Sequence, residues 1–225
     1  MFAGRYTYPY YLYLRERCWY LENQHGHPFS TSAEKFILFT FRVLQLPQQG
    51  LTLPLFRPSI IDFEASGFGN ESYPIEVGVA LSSGQKYCTL IKPASNWLYW
   101  DQKAEQVHGL SVEVLRAHGK PINIVARELN FFLADSTLYS DGWVVDKPWL
   151  SKLYYQCGMT PNFFLSPLEN ILKENQMEIW TQTKLQVIAD LALIRHRASS
   201  DALIIQETFA RTLQIILGVD PELGI

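Results

Sequence analysis

The chain has 225 residues and is 48% hydrophobic, enough to bury the core of one ordinary domain with roughly fifty residues left over as an appendage. Its 19 Lys and Arg against 22 Asp and Glu exclude the overall basic surface of a non-specific duplex binder, so any nucleic-acid contact must be local. Cys18, Cys88 and Cys157 lack metal-ligand spacing and argue against a disulfide framework, which makes a reducing, cytoplasmic location the expectation. The apolar run from Phe36 to Leu46 is interrupted by Arg42 and is shorter than the about 20 residues a membrane span takes. The N-terminus also lacks a signal peptide's order of charged, apolar and small residues, so no membrane association is expected.

Up to Pro58 the chain is crowded with tyrosine (Tyr6, Tyr8, Tyr10, Tyr11, Tyr13, Tyr20) and shows no sustained period before Glu34 to Leu46. It carries six basic and three acidic residues to Arg57, and a basic aromatic arm could stack on a single strand. The plainer expectation is an extension, residues 1–58, outside the domain; translation starting at Leu51, Leu53 or Leu55 would remove most of it. From Ser59 the pattern is regular. Ser59 to Phe63, Ile75 to Leu81 and Tyr87 to Ile91 are β-branched or aromatic runs broken by Gly69-Asn70 and Ser83-Gly84, which predicts a three-stranded antiparallel meander.

Beyond the meander, Ile122, Val125, Ala126, Leu129, Phe132 and Leu133 recur at helical spacing after Pro121, so one stripe packs against a sheet. Thr137 to Ser140 reads as a strand and Asp146 to Gln156 as the helix after it. Ser166-Pro167-Leu168-Glu169 combines a cap, a first-position proline and a capping-box glutamate, predicting a helix to about Asn175. Two helices, Glu178 to Leu193 and Ser200 to Leu217, follow, with Gly218 as C-cap and residues 219–225 as a tail. Strands first and alternating segments later predict a mixed sheet flanked by helices over 59–218.

Three places carry chemistry. Asp62-Phe63-Glu64 ends the first strand, and the two-residue period puts both carboxylates on one face with Ile61 and Phe63 on the other. Two acids on one face repel unless solvated or bridged by a divalent cation, and Ala65-Ser66-Gly67 leaves room for a ligand there. Asp146 lies where a strand leads into a helix, a place that also suits an ordinary N-cap before Pro148. In His196-Arg197-Ala198-Ser199-Ser200-Asp201-Ala202, Ser199 or Ser200 can cap the last helix, placing Asp201 in its first turn and His196 in the preceding loop. An imidazole titrating near ~6.5 can take a proton from an attacking water at neutral pH, which Lys or Arg would not do readily.

The order Asp-x-Glu, then Asp146 before Lys147-Pro148-Trp149-Leu150, then His-x-Ala-x-x-Asp-Ala resembles the DEDDh exonucleases, which include polymerase proofreading subunits, ribonuclease T and oligoribonuclease. Pro74-Ile75-Glu76-Val77-Gly78 is similar to that family's second strand, and Val107-His108-Gly109-Leu110 to its His-Gly-Ile segment near the 3′ end. The resemblance covers Ser59 to Leu217. It implies a ribonuclease-H-like α/β fold, with Asp62, Glu64, Asp146 and Asp201 as ligands of two Mg²⁺ or Mn²⁺ ions about 3.5 to 4 Å apart. It implies His196 as general base and His108, Phe63 and Ser66 as nucleic-acid contacts. The expected activity is 3′-to-5′ hydrolysis at the 3′ end of single-stranded DNA or RNA; the sequence does not select between the two sugars. A catalytically silent binding module with the same fold is the alternative, and an endonuclease of the same broad fold is disfavoured by the histidine five residues before Asp201. Oligomeric state stays open, a homodimer being one option.

The family usually has His-Asn where this chain has Asp141-Gly142, so Asp141 could replace or supplement Asp146; the Asp-x-Pro-x-Leu context favours Asp146. Glu76 is read as structural or as a support behind the ligands. Trp97, Trp100 and Trp143 are read first as core and second as base-stacking surfaces.

Overall fold

The computed structural model describes residues 56–218. The alternating runs of the meander become β1 (Ile60–Ala65), β2 (Pro74–Ala80) and β3 (Lys86–Leu90), all antiparallel neighbours. A fourth strand, β4 (Thr137–Ser140), joins the open side of β1 in parallel, and β5 (Phe164–Pro167) joins β4 in parallel. The sheet order is β3-β2-β1-β4-β5.

The helices among the described residues are α1 (Gln102–His108), α2 (Val112–His118), α3 (Ile122–Phe132), α4 (Trp143–Gln156), α5 (Glu174–Leu191) and α6 (Ala198–Leu217). Because side chains alternate along a strand, β1 and β2 each serve two cores. Ile61, Phe63, Val77 and Val79 point to one face and pack with Val125 and Leu129 of α3 and Leu150, Leu153 and Tyr154 of α4. Ile60 and Ala80 point to the other face and meet Ala202, Ile205 and Phe209 of α6. Each fully buried Ile, Leu or Phe of these cores contributes about 1.5–3 kcal/mol. Helix α5 lies against α6, where Gln176 donates to the Phe209 carbonyl and, at 3.0 Å, to the Thr212 hydroxyl. This is the mixed, helix-flanked sheet the sequence predicts.

Several local expectations are corrected. Ser166-Pro167 does not open a helix: these residues end β5, Leu168–Asn170 form a 3-10 turn, and the long helix begins at Glu174. A run of four residues ending in proline can add to a parallel edge because the proline sits at the strand's end, where no further ladder bond is needed. Helix α4 starts three residues before Asp146, so that acid is in the first turn rather than at the cap. The neighbours of the last helix's start, Ser199 and Ser200, do not cap it; the capping oxygen comes from Glu76 in β2, which accepts from the Ala198 N–H at 3.0 Å. The described contacts reach back before the expected boundary at Pro58. Phe56 packs edge-on against Phe209, Arg57 pairs with Glu207 at 2.6 Å, and the Pro58 carbonyl accepts from Gln206. Residues 1–55 and 219–225 lie outside the described part of the chain, and the readings of the tyrosine-rich arm and the tail with them.

Candidate active site

In β1, Asp62 lies opposite Gly78 and Glu64 opposite Glu76, so Asp62, Glu64 and Glu76 all face α6 while Phe63 faces the α3–α4 core. Helix α6 can approach this face closely because residue 78 is glycine: a Cβ there would stand 2.2 Å from the Ala198 carbonyl carbon. The first turn of α6 thereby delivers Asp201 to the acids of β1. Carboxylate oxygens of Asp62, Glu64 and Asp201 lie within 4.8 Å of one another.

Asp146 enters from α4. Its carboxylate accepts from the Ser140 hydroxyl, which in turn accepts from the Gly142 N–H, so the end of β4 and the start of α4 jointly fix it. It is buried and its charge acts on both Asp62 and Glu64. Asp141 is committed elsewhere, at 2.7 Å from the Lys184 ammonium of α5.

The electrostatics follow from crowding acids into a cleft. Burial first, then the charges of Asp146, Glu64, Asp201 and Asp141, hold Asp62 well above the usual carboxylate range. Burial and Asp201 push Glu64 up to about 8, with Glu76 and Asp146 adding to the rise and Arg197 opposing it. Burial lifts Asp146 to about 7 against the hydrogen bond from Ser140. Such a set either retains protons or gathers cations. A close group of carboxylate oxygens with mutually raised proton affinity is the donor chemistry that hard divalent cations take, so the residues fit Mg²⁺ or Mn²⁺.

His196 is exposed, in the loop before α6, with a left-handed backbone (φ 59°). That geometry is uncommon for a residue with a Cβ and needs to be held by its surroundings. Its N–H donates to Asp201 at 2.9 Å, and Arg195 on its other side donates to the same carboxylate at 2.7 Å. The histidine is thus tied to the acid cluster by its backbone, leaving the ring unconstrained by that contact.

The expected nucleic-acid contacts are placed differently from one another. His108 is not in a loop: it is the last residue of α1, followed by Gly109 as a left-handed cap. It is buried, its Nδ1 accepts from the Leu110 N–H, and its Nε2 has no partner among the described residues. Burial lowers its pKa, and it feels the charges of Glu105, Glu76, Arg197 and His196, which sets it beside the α6 start. Phe63 does not offer its ring to a ligand; it is in the core beneath the sheet. The Ser66 hydroxyl is likewise engaged, accepting from the Tyr73 N–H. The tryptophans take packing roles: Trp97 stacks on Tyr73 with ring centres 5.0 Å apart, Trp100 donates to Glu105, and Trp143 donates to the Leu165 carbonyl. Ser140, Lys184 and Arg195 are contributors the sequence did not single out, since hydroxyl-to-acid and ion-pair partners 6 and 43 positions apart leave no periodic trace.

A five-stranded mixed sheet with helices on both faces and acids gathered at β1 is a ribonuclease-H-like α/β fold. Among solved structures it is similar to E. coli Exonuclease I in complex with a 5cy-dT13 oligonucleotide, at 13% identity and a TM-score of 0.52, covering 75% of this chain and 42% of that one. The complex of the same E. coli enzyme with a dA16 oligonucleotide gives 13% identity and a TM-score of 0.50, again over 75% of this chain and 42% of that chain. A further complex, with 5cy-dA13, gives 12% identity and 0.50 over the same shares. The match thus spans less than half the length of those chains, and it establishes the fold. No family model matches the sequence, and no curated protein does. No helix among the described residues is long and apolar enough to cross a membrane.

Proposed function

We propose that this chain is a metal-dependent 3′-to-5′ exonuclease of the DEDDh type, hydrolysing phosphodiester bonds at the 3′ end of single-stranded nucleic acid. The observation that carries this reading is the meeting of Asp62 and Glu64 of β1 with Asp201 of α6 within 4.8 Å, with buried Asp146 acting on the two acids of β1. Asp62, Glu64, Asp146 and Asp201 are the residues that would hold two Mg²⁺ or Mn²⁺ ions. When bound, the ions would supply positive charge to activate the attacking water and stabilise the departing 3′ oxygen.

The chain's own groups do the rest. The backbone tie from His196 to Asp201 holds this residue beside the cluster, and in this reading its free imidazole accepts the proton of the attacking water. Ser140 fixes the Asp146 carboxylate, and Lys184 pairs with the nearby Asp141. The unpartnered Nε2 of His108 donates toward the terminal nucleotide, which would satisfy a buried polar atom. The oligonucleotides held by the solved structures of the same fold support a single strand as the substrate.

The test is a timed digestion of end-labelled DNA and RNA, single-stranded and duplex, with free and blocked 3′ ends, in Mg²⁺ and in EDTA. Stepwise shortening from a free 3′ end, absent in EDTA and with blocked ends, is expected. Binding without digestion in Mg²⁺ and in Mn²⁺ overturns the reading in favour of a silent binding module.

A further inference from the structure

The start of α6 is held by a carboxylate that is not among the proposed ligands. Glu76 is fully buried, and its two oxygens receive the Arg197 guanidinium at 2.6 and 3.0 Å, the Ala198 N–H at 3.0 Å and, more weakly, the Cys88 thiol at 3.5 Å. Two of these donors come from the residues directly after His196, and the first two are charge-assisted and bidentate. On the other side of His196, Arg195 and the His196 N–H are both bound by Asp201. A left-handed histidine is therefore pinned from both sides, downstream by Glu76 and upstream by Asp201. Gly78, two residues along the same face of β2, lets the strand touch the backbone of Ala198 and Ser199 directly.

We infer that Glu76 is a positioning residue, whose grip on Arg197 and Ala198 sets where His196 and Asp201 stand relative to Asp62 and Glu64. This inference rests on the exonuclease reading for its catalytic consequence, but its structural content does not depend on turnover. A buried carboxylate serving only the fold would lend its stability to the domain as a whole. One serving the site acts on residues 195–201 specifically, because its strong donors all lie in that segment. Glu64 directly opposite is also affected: Glu76 raises its proton affinity, and Arg197, paired with Glu76, opposes that rise in part.

The experiment compares wild type with Glu76→Gln and Arg197→Ala, the latter altering the third-exposed end of the same contact should the buried change prevent folding. Three quantities are read: Mn²⁺ affinity by titration, amide hydrogen exchange in peptides covering 195–201 and β1, and kcat and KM on a single-stranded oligonucleotide. Supports behind metal ligands typically govern about 10 to 100-fold in metal affinity or activity. The expected result is an Mn²⁺ affinity lower by about that factor, faster exchange confined to 195–201, and a fall in kcat larger than the change in KM. Unchanged Mn²⁺ affinity and exchange in 195–201 overturns the inference, as does exchange that rises equally in β1. A wild-type protein that binds Mn²⁺ but digests nothing overturns the exonuclease reading alone, because the affinity and exchange comparisons still decide the role of Glu76. Should wild type bind no Mn²⁺, exchange confined to 195–201 still supports the clamp, and equal exchange in both regions overturns it.

Discussion

His196 and Asp201 are joined by one hydrogen bond yet would do different work, so their substitutions separate the roles. On the proposed function, His196→Ala would remove a positioned proton acceptor, which typically costs 10² to 10⁴-fold, and the rate should fall by about that much while Mn²⁺ affinity stays near wild type. On the same reading Asp201→Asn would remove a ligand charge and should lower affinity and turnover together. Near-wild-type rates in His196→Ala would place the base elsewhere, with His108 the next candidate. The same logic resolves the two acids of the β4–α4 junction. Asp146 is buried against the cluster and Asp141 is tied to Lys184, each partner of that pair about a quarter exposed. Asp146→Asn should abolish turnover. Asp141→Asn should lose only the ion pair, about 1 kcal/mol or less of stability, and keep most of the activity. Equal loss of activity in both would mean that Asp141 shares the ligand role.

At the scale of elements, the position of α6 depends on Gly78, since a methyl group there would overlap the Ala198 carbonyl carbon and the Ser199 nitrogen. Gly78→Ala must push the helix start outward, and overpacking of this kind costs about 1 to 3 kcal/mol. Lower stability by chemical denaturation, with turnover falling further than stability alone explains, is expected; a silent substitution would show that the helix start can slide freely. The elements that place the acids are also those most legible in the sequence. Alternation marks β1 to β3, and the strand period alone puts Asp62 and Glu64 on one side. The stripe from Ile122 to Leu133 marks α3, and β4 is found with its full length. What escaped detection lacks a period of its own. Strand β5 is hidden because its last residues, Ser166-Pro167, followed by Leu168-Glu169, imitate a helix start, and α1 and α2 are seven residues each, about two turns, too short for an apolar stripe to repeat. Their caps were readable in principle: Asp101 accepts from the Lys103 N–H and Ser111 from that of Val114. The cap of α6 was not, because Glu76 lies 122 positions away from the N–H it satisfies.

For the molecule as a whole, the acid cluster makes stability depend on pH and cations. Glu64 and Asp146 have folded-state pKa values raised to about 8 and about 7, whereas the unfolded chain ionises them near 4. A group with a raised pKa stabilises the fold fully below its unfolded value, and that stabilisation is lost as pH rises through the folded value. In EDTA, stability should therefore fall between pH 7 and 8.5, above the range where buried His108 would impose the opposite trend. The fall should be smaller in Asp62→Asn, and Mn²⁺ should restore stability most at pH 8.5 while releasing protons. A flat profile in chelator would show that the acids do not hold protons at neutral pH. The last whole-molecule question is where the folding unit begins. The composition break falls at Pro58, but the described contacts begin at Phe56, whose ring meets Phe209, and continue through Arg57 on Glu207 and the Pro58 carbonyl on Gln206. All three land on α6, the helix that carries Asp201. A chain starting at Leu55 keeps them and should fold, bind Mn²⁺ and, on the proposed function, digest a single strand as the full chain does. Starting at Ser59 removes an aromatic contact, an ion pair and a buried hydrogen bond. Losses of this kind sum to about 1 to 3 kcal/mol. Comparing denaturant midpoints of the two shortened chains with the full one decides the boundary: equal midpoints for both would place it at Pro58, and an insoluble Leu55 chain would make the preceding residues part of the domain.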